Sequence, residues 1–281
     1  MNNGCMIQQK HSAIKTLKKK LLHRVGTAIA DFSMIRDGDK IMVCLSGGKD
    51  SFVLLTLLRD LQIRAPVRFE LLAALLNQRG DVFPEHAIAT YLEHIGQPYV
   101  IIRKATYDIV RSKLAPGQAA CALCSRLRRG ILYTEARARG CTKIALGHHA
   151  DDIIETFLLN ILFNGTLKAM PPVLVSDDGT NTVIRPLAYC REDEIDTFAT
   201  LMRYPTVPPQ VCGLPINPQR GRVKALLKTL ERDVPGVRAS MLAALRHIVP
   251  SHLLDPELFD NVNRIGSKKE KSCAEQRSTA C

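Results

Sequence analysis

Between residues 41 and 147 the chain carries four short runs that are continuously apolar but for a charge at or near an end: Ile41 to Leu45 (IMVCL), Phe69 to Leu76 (FELLAALL), Tyr99 to Arg103 (YVIIR) and Lys143 to Gly147 (KIALG). An alternating strand is wet on one face. A continuously apolar one is covered on both, as in a parallel sheet. The stretches between and after the runs have helical character, at 51–62, 85–95, 107–113, 125–139 and 151–163. Strands joined by helices wind right-handedly. The expected fold is α/β, a doubly wound Rossmann-like parallel sheet with helical N-terminal and C-terminal additions. In such a sheet the site lies at the carboxyl ends of the strands.

Before the first strand, residues 9–31 predict a basic helix. Lys10, Lys15, Lys18, Lys19, Lys20 and Arg24 give it charge, and Leu17, Leu21, Leu22 and Val25 give it an apolar face. After Asn164 the pattern loosens into a loop with a short hairpin turning at Asp178-Gly179. A helix over 191–202, the proline-rich loop YPTVPPQVCGLPINP, and basic helices over 219–231 and 236–248 follow. The end, RIGSKKEKSCAEQRSTAC, is polar enough to predict disorder. The expected organisation is therefore a basic N-terminal helical segment (1–36), an α/β domain (37–203), a cysteine loop with basic C-terminal helices (204–263) and a disordered tail (264–281).

The formal net charge of +12 over 281 residues points to a polyanionic partner. The longest apolar stretches, such as LLAALL, fall far short of the roughly 18–20 residues that span a bilayer. The beginning, MNNGCMIQQKHS, lacks the apolar core of a secretory signal. A cytoplasmic protein with no membrane partner is expected, its thiols reduced. Nine scattered cysteines then read as metal-binding or redox groups before they read as a disulfide framework.

Between the first run and its helix stands Ser46-Gly47-Gly48-Lys49-Asp50-Ser51. A helix N-terminus presents amides and a positive dipole end. Gly47 and Gly48 let backbone approach a phosphate, Lys49 adds charge, and Asp50 can hold Mg²⁺ or orient the loop. This is not a Walker A loop, which would need glycine where Val43 stands and Ser or Thr where Asp50 stands. The fourth run ends in Gly147-His148-His149-Ala150-Asp151-Asp152, again at a strand-to-helix step. One aspartate suits an N-cap. Oxygen ligands beside phosphate favour Mg²⁺ over zinc.

Cys121 and Cys124 form a C-x-x-C pair followed by Arg126, Arg128 and Arg129, and Cys212 lies in the proline-rich loop. No strand leads directly into the pair, as a thioredoxin-like motif requires. A structural zinc site would want a fourth ligand. Three thiolates suit a cubane cluster with one iron left open. The arginines can balance thiolate charge or line a path for nucleic acid. Cys44 and Cys190 sit in apolar surroundings, Cys141 begins a strand, and Cys5, Cys273 and Cys281 are terminal.

The loop SGGKDS resembles that of the PP-loop ATP pyrophosphatases. CALCSRLRRGILY, KIALGHHADD, MPP, IRPLAYCRE and VPSHL…LFD, in that order from about Asp37 to Asp260, resemble the tRNA 2-thiocytidine synthetase family. That resemblance implies ATP cleaved between its α and β phosphates, with residues 46–51 cradling the pyrophosphate and Lys49 and Asp50 acting in catalysis. Gly147, His148, Asp151 and Asp152 are implied on the ATP and Mg²⁺ side. It implies a [4Fe–4S] cluster on Cys121, Cys124 and Cys212, and tRNA as partner, with Arg126, Arg128 and Arg129 as candidate contacts. It further implies conversion of an anticodon-loop cytidine (position 32) to 2-thiocytidine through a C2-adenylated intermediate. Sulfur would come from a cysteine desulfurase or other donor, and the enzyme would be a homodimer. The competing readings are tRNA-Ile lysidine synthetase, which adenylates the same carbon without needing a cysteine triad, and a non-catalytic iron–sulfur RNA-binding protein. Two positions depart from the family pattern. Pro209 stands where a second late C-x-x-C would begin, and Asn77 where the strand-end Leu-Asp-Gln has its aspartate.

Overall fold

A computed structural model describes residues 3–78, 83–113, 121–207 and 218–258 of the chain. The elements run α1 (Asn3–Asp31), β1 (Asp39–Leu45), α2 (Lys49–Arg64), β2 (Phe69–Asn77), α3 (Glu85–His94), β3 (Tyr99–Arg103), α4 (Thr106–Lys113), α5 (Cys121–Ala138), β4 (Lys143–Ala145), α6 (Ala150–Asn164), β5 (Val173–Val175), β6 (Thr182–Ile184), α7 (Glu192–Met202), α8 (Pro218–Asp233) and α9 (Val237–Ala244). The strands form one sheet in the order β3-β2-β1-β4-β6-β5. All neighbours pair in parallel except β5, which runs antiparallel to β6 at the edge.

The fold is the doubly wound α/β sheet that the apolar runs predict. β1 lies at its centre, where Val43 pairs with Ala73 on one side and Ala145 on the other. Side chains alternate between the two faces of a strand, and here each face has its own core. Ile41, Val43 and Leu45 pack with Leu21, Val25 and Ala28 of α1, Phe52, Leu55 and Leu58 of α2, and Ile195 and Phe198 of α7. Met42 packs with Ala74, Ile102, Ile144 and Val183, covered by Leu132 and Ala136 of α5. The basic first helix is thus part of the core wall, and three of its charges are spent on the fold. Lys18 pairs with Asp60 of α2, and Lys20 and Arg24 both pair with Glu194 of α7.

Three elements differ from the sequence reading. The helix expected from residue 125 begins at Cys121, so the C-x-x-C pair forms its first turn. The hairpin at Gly179 (φ +68°) does more than cap a loop, because β6 joins β4 in parallel and widens the sheet. The last predicted helix is shorter, Val237–Ala244.

The chain divides into two compact units, 1–233 and 234–281. α8 belongs to the first, burying Val223 and Leu227. In the second, Gly236 opens α9 in the left-handed region (φ +86°), and a 3-10 turn spans Pro250–His252. The expected disordered tail at 264–281 lies outside the described residues.

Candidate active site

The glycine loop is held by its own side chains and by a neighbouring segment. Gly48 caps α2 in the extended region, its amide donating to Ser46 Oγ at 3.3 Å, while Ser51 Oγ donates back to the Gly48 carbonyl at 2.7 Å. Gly47 has φ +82°, and a Cβ there would lie 2.6 Å from Val207 Cγ2. The reason is that the Val207 amide donates to the Gly47 carbonyl at 2.8 Å. Tyr204 anchors this segment, stacking on Phe52 with centroids 5.5 Å apart and sharing a 2.8 Å hydrogen bond with Thr56. The loop therefore needs glycine both for its backbone and for the chain that lies across it.

Gly147 brings the second motif onto the first. A Cβ there would stand 3.1 Å from the Asp50 carbonyl carbon and 3.1 Å from the Ser51 nitrogen. Beyond it His149 caps α6, its amide donating to Asp152 Oδ2 at 3.1 Å. Asp152 Oδ1 and Glu155 Oε2 both accept from Arg220 of α8, at 2.5 and 2.9 Å. Asp151 is buried and its Oδ2 accepts from the Glu192 amide at 2.7 Å, at the start of α7. Asp152 lines the cavity described below, whereas Asp151 is not among its lining residues and ties α6 to α7.

His148 meets a residue that the sequence reading passed over. Arg185, nearly buried just after β6, donates from Nε to His148 Nδ1 at 3.3 Å and from Nη1 to the Pro171 carbonyl at 2.5 Å. Burial first, and then the charges of Arg185 and Arg220 and the neighbouring His149, push His148 down to about 4 against the opposing pull of Asp152. Arg185 itself is pushed down to about 10, chiefly by burial.

Lys49 Nζ is in the company of acids. It lies 2.9 Å from Asp50 Oδ1, 2.9 Å from Asp196 Oδ1 and 4.0 Å from Glu192 Oε1, the last two on α7. Lys224 of α8 balances Glu192 at 2.6 Å.

These groups surround one cavity of about 900 Å³. Ser46, Gly48, Lys49, Asp50 and Ser51 line it, with Gly147, His148, Asp152 and Arg185 beside them. Cys124, Arg128 and Arg129 of α5 line it too, as do Thr206 and Val207. Arg128 is oriented by Gln78 Oε1, which accepts from its Nε at 3.1 Å, and Gln78 Nε2 donates to Thr106 Oγ1 at 2.5 Å. Arg126 is exposed and is not among the lining residues. Cys44 lines the same cavity, but burial pushes its thiol up to about 12, as it does for Cys190. Asn77 is buried and donates to Glu85 Oε1 at 2.5 Å, Glu85 being paired in turn with Arg103. A carboxylate at position 77 would face Glu85, so in this chain the asparagine satisfies its neighbour. The side chain of Cys121 and all of Cys212 and Pro209 lie outside the described residues. Among the described residues no group of three His, Cys, Asp or Glu side chains could hold a metal ion, and no helix is long and apolar enough to cross a membrane.

A family model described as a PP-loop domain matches residues 17–205, from the basic helix through the Tyr204 segment. The tRNA-cytidine(32) 2-sulfurtransferase of Marinobacter nauticus is 53% identical over 259 residues, which is 92% of this chain and 86% of that one. The chain belongs to the PP-loop tRNA-cytidine(32) 2-sulfurtransferase family. Relatives of the same name from Pectobacterium carotovorum (51% identical, 92% of this chain, 84% of that one) and Aeromonas salmonicida (52%, 88% and 83%) agree. Among solved structures, the U34-tRNA thiolase NcsA from Methanococcus maripaludis, described with its [4Fe-4S] cluster, shares the fold. It superposes with a TM-score of 0.63 at 24% identity, covering 86% of this chain and 81% of that one. The cavity shows how this member of the family arranges the motifs met first in the sequence. Sequence reasoning missed Arg185, Gln78, Thr206 and Val207. Arg185 carried a signal as the arginine of IRPLAYCRE, and Gln78 as the last residue of the strand-end Leu76-Asn77-Gln78, but neither was given a role.

Proposed function

We propose that the chain is an ATP-dependent tRNA-cytidine 2-sulfurtransferase that converts cytidine 32 of the anticodon loop to 2-thiocytidine. The observation that carries this reading is one cavity walled by the glycine loop, by His148 and Asp152, and by Cys124. Activation and sulfur transfer need a shared space, because an adenylated base exposed to water would hydrolyse.

In the first step the cytidine O2 attacks the α-phosphorus of ATP. An O–P bond forms and pyrophosphate leaves. The first turn of α2 and the Lys49 ammonium would hold that departing charge, as preorganised donors do. Lys49 must then exchange Asp196 for phosphate. Asp50 and Asp152 would hold Mg²⁺ against the phosphates, which requires Arg220 to yield the oxygen it now binds. In the second step sulfur adds at C2, the C2–O bond breaks and AMP departs.

Cys121, Cys124 and Cys212 would hold the [4Fe–4S] cluster. The donor set suits it: Cys124 faces the cavity, Cys121 lies one helical turn away on α5, and Arg128 and Arg129 can offset thiolate charge. Cys212 lies five positions after Val207, which packs against the glycine loop, a reach of at most about 17 Å. When bound, the cluster supplies an iron without a protein thiolate, at which sulfur can be carried to C2. Cys44 is a poor fourth ligand, since burial holds its thiol protonated.

Arg126, exposed on α5, and Arg128 and Arg129, which line the cavity, would meet tRNA phosphates, and the target base would enter splayed from its loop. A cytoplasmic homodimer supplied by a cysteine desulfurase or other sulfur donor completes the reading. The α/β domain (37–203) would serve activation and the cysteine loop with its basic helices (204–263) sulfur delivery. The test is anaerobic reconstitution of the cluster, followed by ATP, sulfide and tRNA, with nucleosides read by mass spectrometry. Thiocytidine from the wild type and none from Cys212→Ala is expected. No product, or a Cys212→Ala variant as active as the wild type, would overturn it.

A further inference from the structure

We propose that Arg185 is a positioning residue that fixes His148 as a neutral imidazole carrying its proton on Nε2, so that His148 donates a hydrogen bond to a phosphate oxygen of the bound nucleotide. The inference rests on the activating role proposed above and adds to it a residue and a protonation state.

Geometry alone fixes the tautomer. Arg185 has only donors to offer, and its Nε points at His148 Nδ1 from 3.3 Å. Nδ1 must therefore present a lone pair. An imidazolium has a proton on both nitrogens and could not accept this bond, so the ring is neutral and its single proton sits on Nε2. Arg185 is held in turn by the Pro171 carbonyl at 2.5 Å, which fixes the guanidinium plane. The charged and titratable groups around the ring are Asp152 and His149 of the same motif, Arg185 and Arg220. Arg185 and Arg220 are permanent cations, and the bond from Arg185 Nε does not depend on which partner Asp152 holds.

The placement of the donor follows from Gly147. Its backbone lies against Asp50 and Ser51 in the first turn of α2, so the next residue, His148, stands beside the phosphate-binding loop and lines the same cavity. As O2 bonds to the α-phosphorus and the bond to pyrophosphate breaks, charge accumulates on phosphate oxygens. His148 stabilises that charge through Nε2–H and keeps its proton throughout. A neutral donor avoids charging a buried ring beside two arginines.

Two measurements test this. Long-range ¹H–¹⁵N correlation of the labelled protein, with His148 assigned from its loss in His148→Gln, should show Nδ1 unprotonated and Nε2 protonated at neutral pH. A doubly protonated or Nδ1–H ring overturns the inference, and this reading needs no activity. The second is tRNA-dependent release of AMP and pyrophosphate. His148→Ala should lower kcat about 100- to 1,000-fold, the range seen when one preorganised donor is lost. His148→Gln, whose amide N–H can reach the same oxygen, should recover most of it. Arg185→Met should lower kcat in the wild-type background and add nothing in His148→Ala, because it acts through that ring. Additive losses, or a His148→Gln variant as slow as His148→Ala, overturn the inference. A wild-type protein with no AMP release would instead defeat the proposed function, while the spectrum still decides the tautomer.

Discussion

Lys49 shows how much a single side chain can be asked to do. Asp196 and Glu192 are four apart on α7, a spacing at which like charges repel across one helical turn. The Lys49 ammonium lies near both and relieves that repulsion. A nucleotide must compete for the same ammonium, so Asp196 restrains ATP binding. Both partners are substantially exposed, 31% for Lys49 and 49% for Asp196, which keeps the effect small. Exposed pairs contribute about 0–1 kcal/mol, so Asp196→Asn should tighten binding of a non-hydrolysable ATP analogue by about two- to five-fold at low salt. Calorimetric titration of the two proteins measures it. Equal or weaker binding by the variant would show that Asp196 supports Lys49 instead of restraining it. At this scale the sequence was informative where a residue's role is local: Gly47, Gly48 and Lys49 announce an anion loop by adjacency alone. Arg185 stands in the stretch IRPLAYCRE without announcing its role, because that role depends on a histidine 37 positions earlier that only the sheet brings near. Asp151 and Asp152 look equivalent in the sequence. Their difference appears only when α7 supplies an amide to one and α8 an arginine to the other.

Between elements, the join of α6 to α8 depends on Arg220. It bridges Asp152 and Glu155, and Glu155 is 3% exposed. Arg220→Met would leave that carboxylate buried without its partner, a loss of about 1–3 kcal/mol for an unsatisfied buried group. The melting temperature should fall by several degrees, and adding Glu155→Gln should restore part of the loss by removing the charge. Thermal denaturation of the three proteins decides it, and an unchanged transition would contradict the role given to this pair. The strands β1 to β4 were legible because each has a continuously apolar centre and is followed by a helix. β5 and β6 are three residues each and carry no such pattern. The turn at Asp178-Gly179 marks the hairpin, but nothing nearby says that β6 will pair with β4. Likewise the start of α5 at Cys121 is hidden, since the C-x-x-C pair reads as a metal loop as readily as a first helical turn.

On the scale of the whole molecule, the basic excess divides into two parts. Lys18, Lys20 and Arg24 are paired with acids of α2 and α7 and hold α1 to the core. Arg128 and Arg129 line the cavity and remain available to a polyanion. Charge counting alone could not separate them. The sheet places the glycine loop at the carboxyl end of β1, the histidine motif at the end of β4, and α5 with Cys124 over the second face, so that three distant stretches of sequence meet in one space. If that space both adenylates and thiolates, the two steps should separate by mutation. The decisive measurement is a paired assay of cluster-loaded protein with ATP, sulfide and tRNA, reading AMP release and thiocytidine together. Cys124→Ala should still release AMP in the presence of tRNA while forming no thiocytidine, and Lys49→Ala should lose both. Thiocytidine formed by Cys124→Ala at the wild-type rate, or by Lys49→Ala without AMP release, would contradict the account.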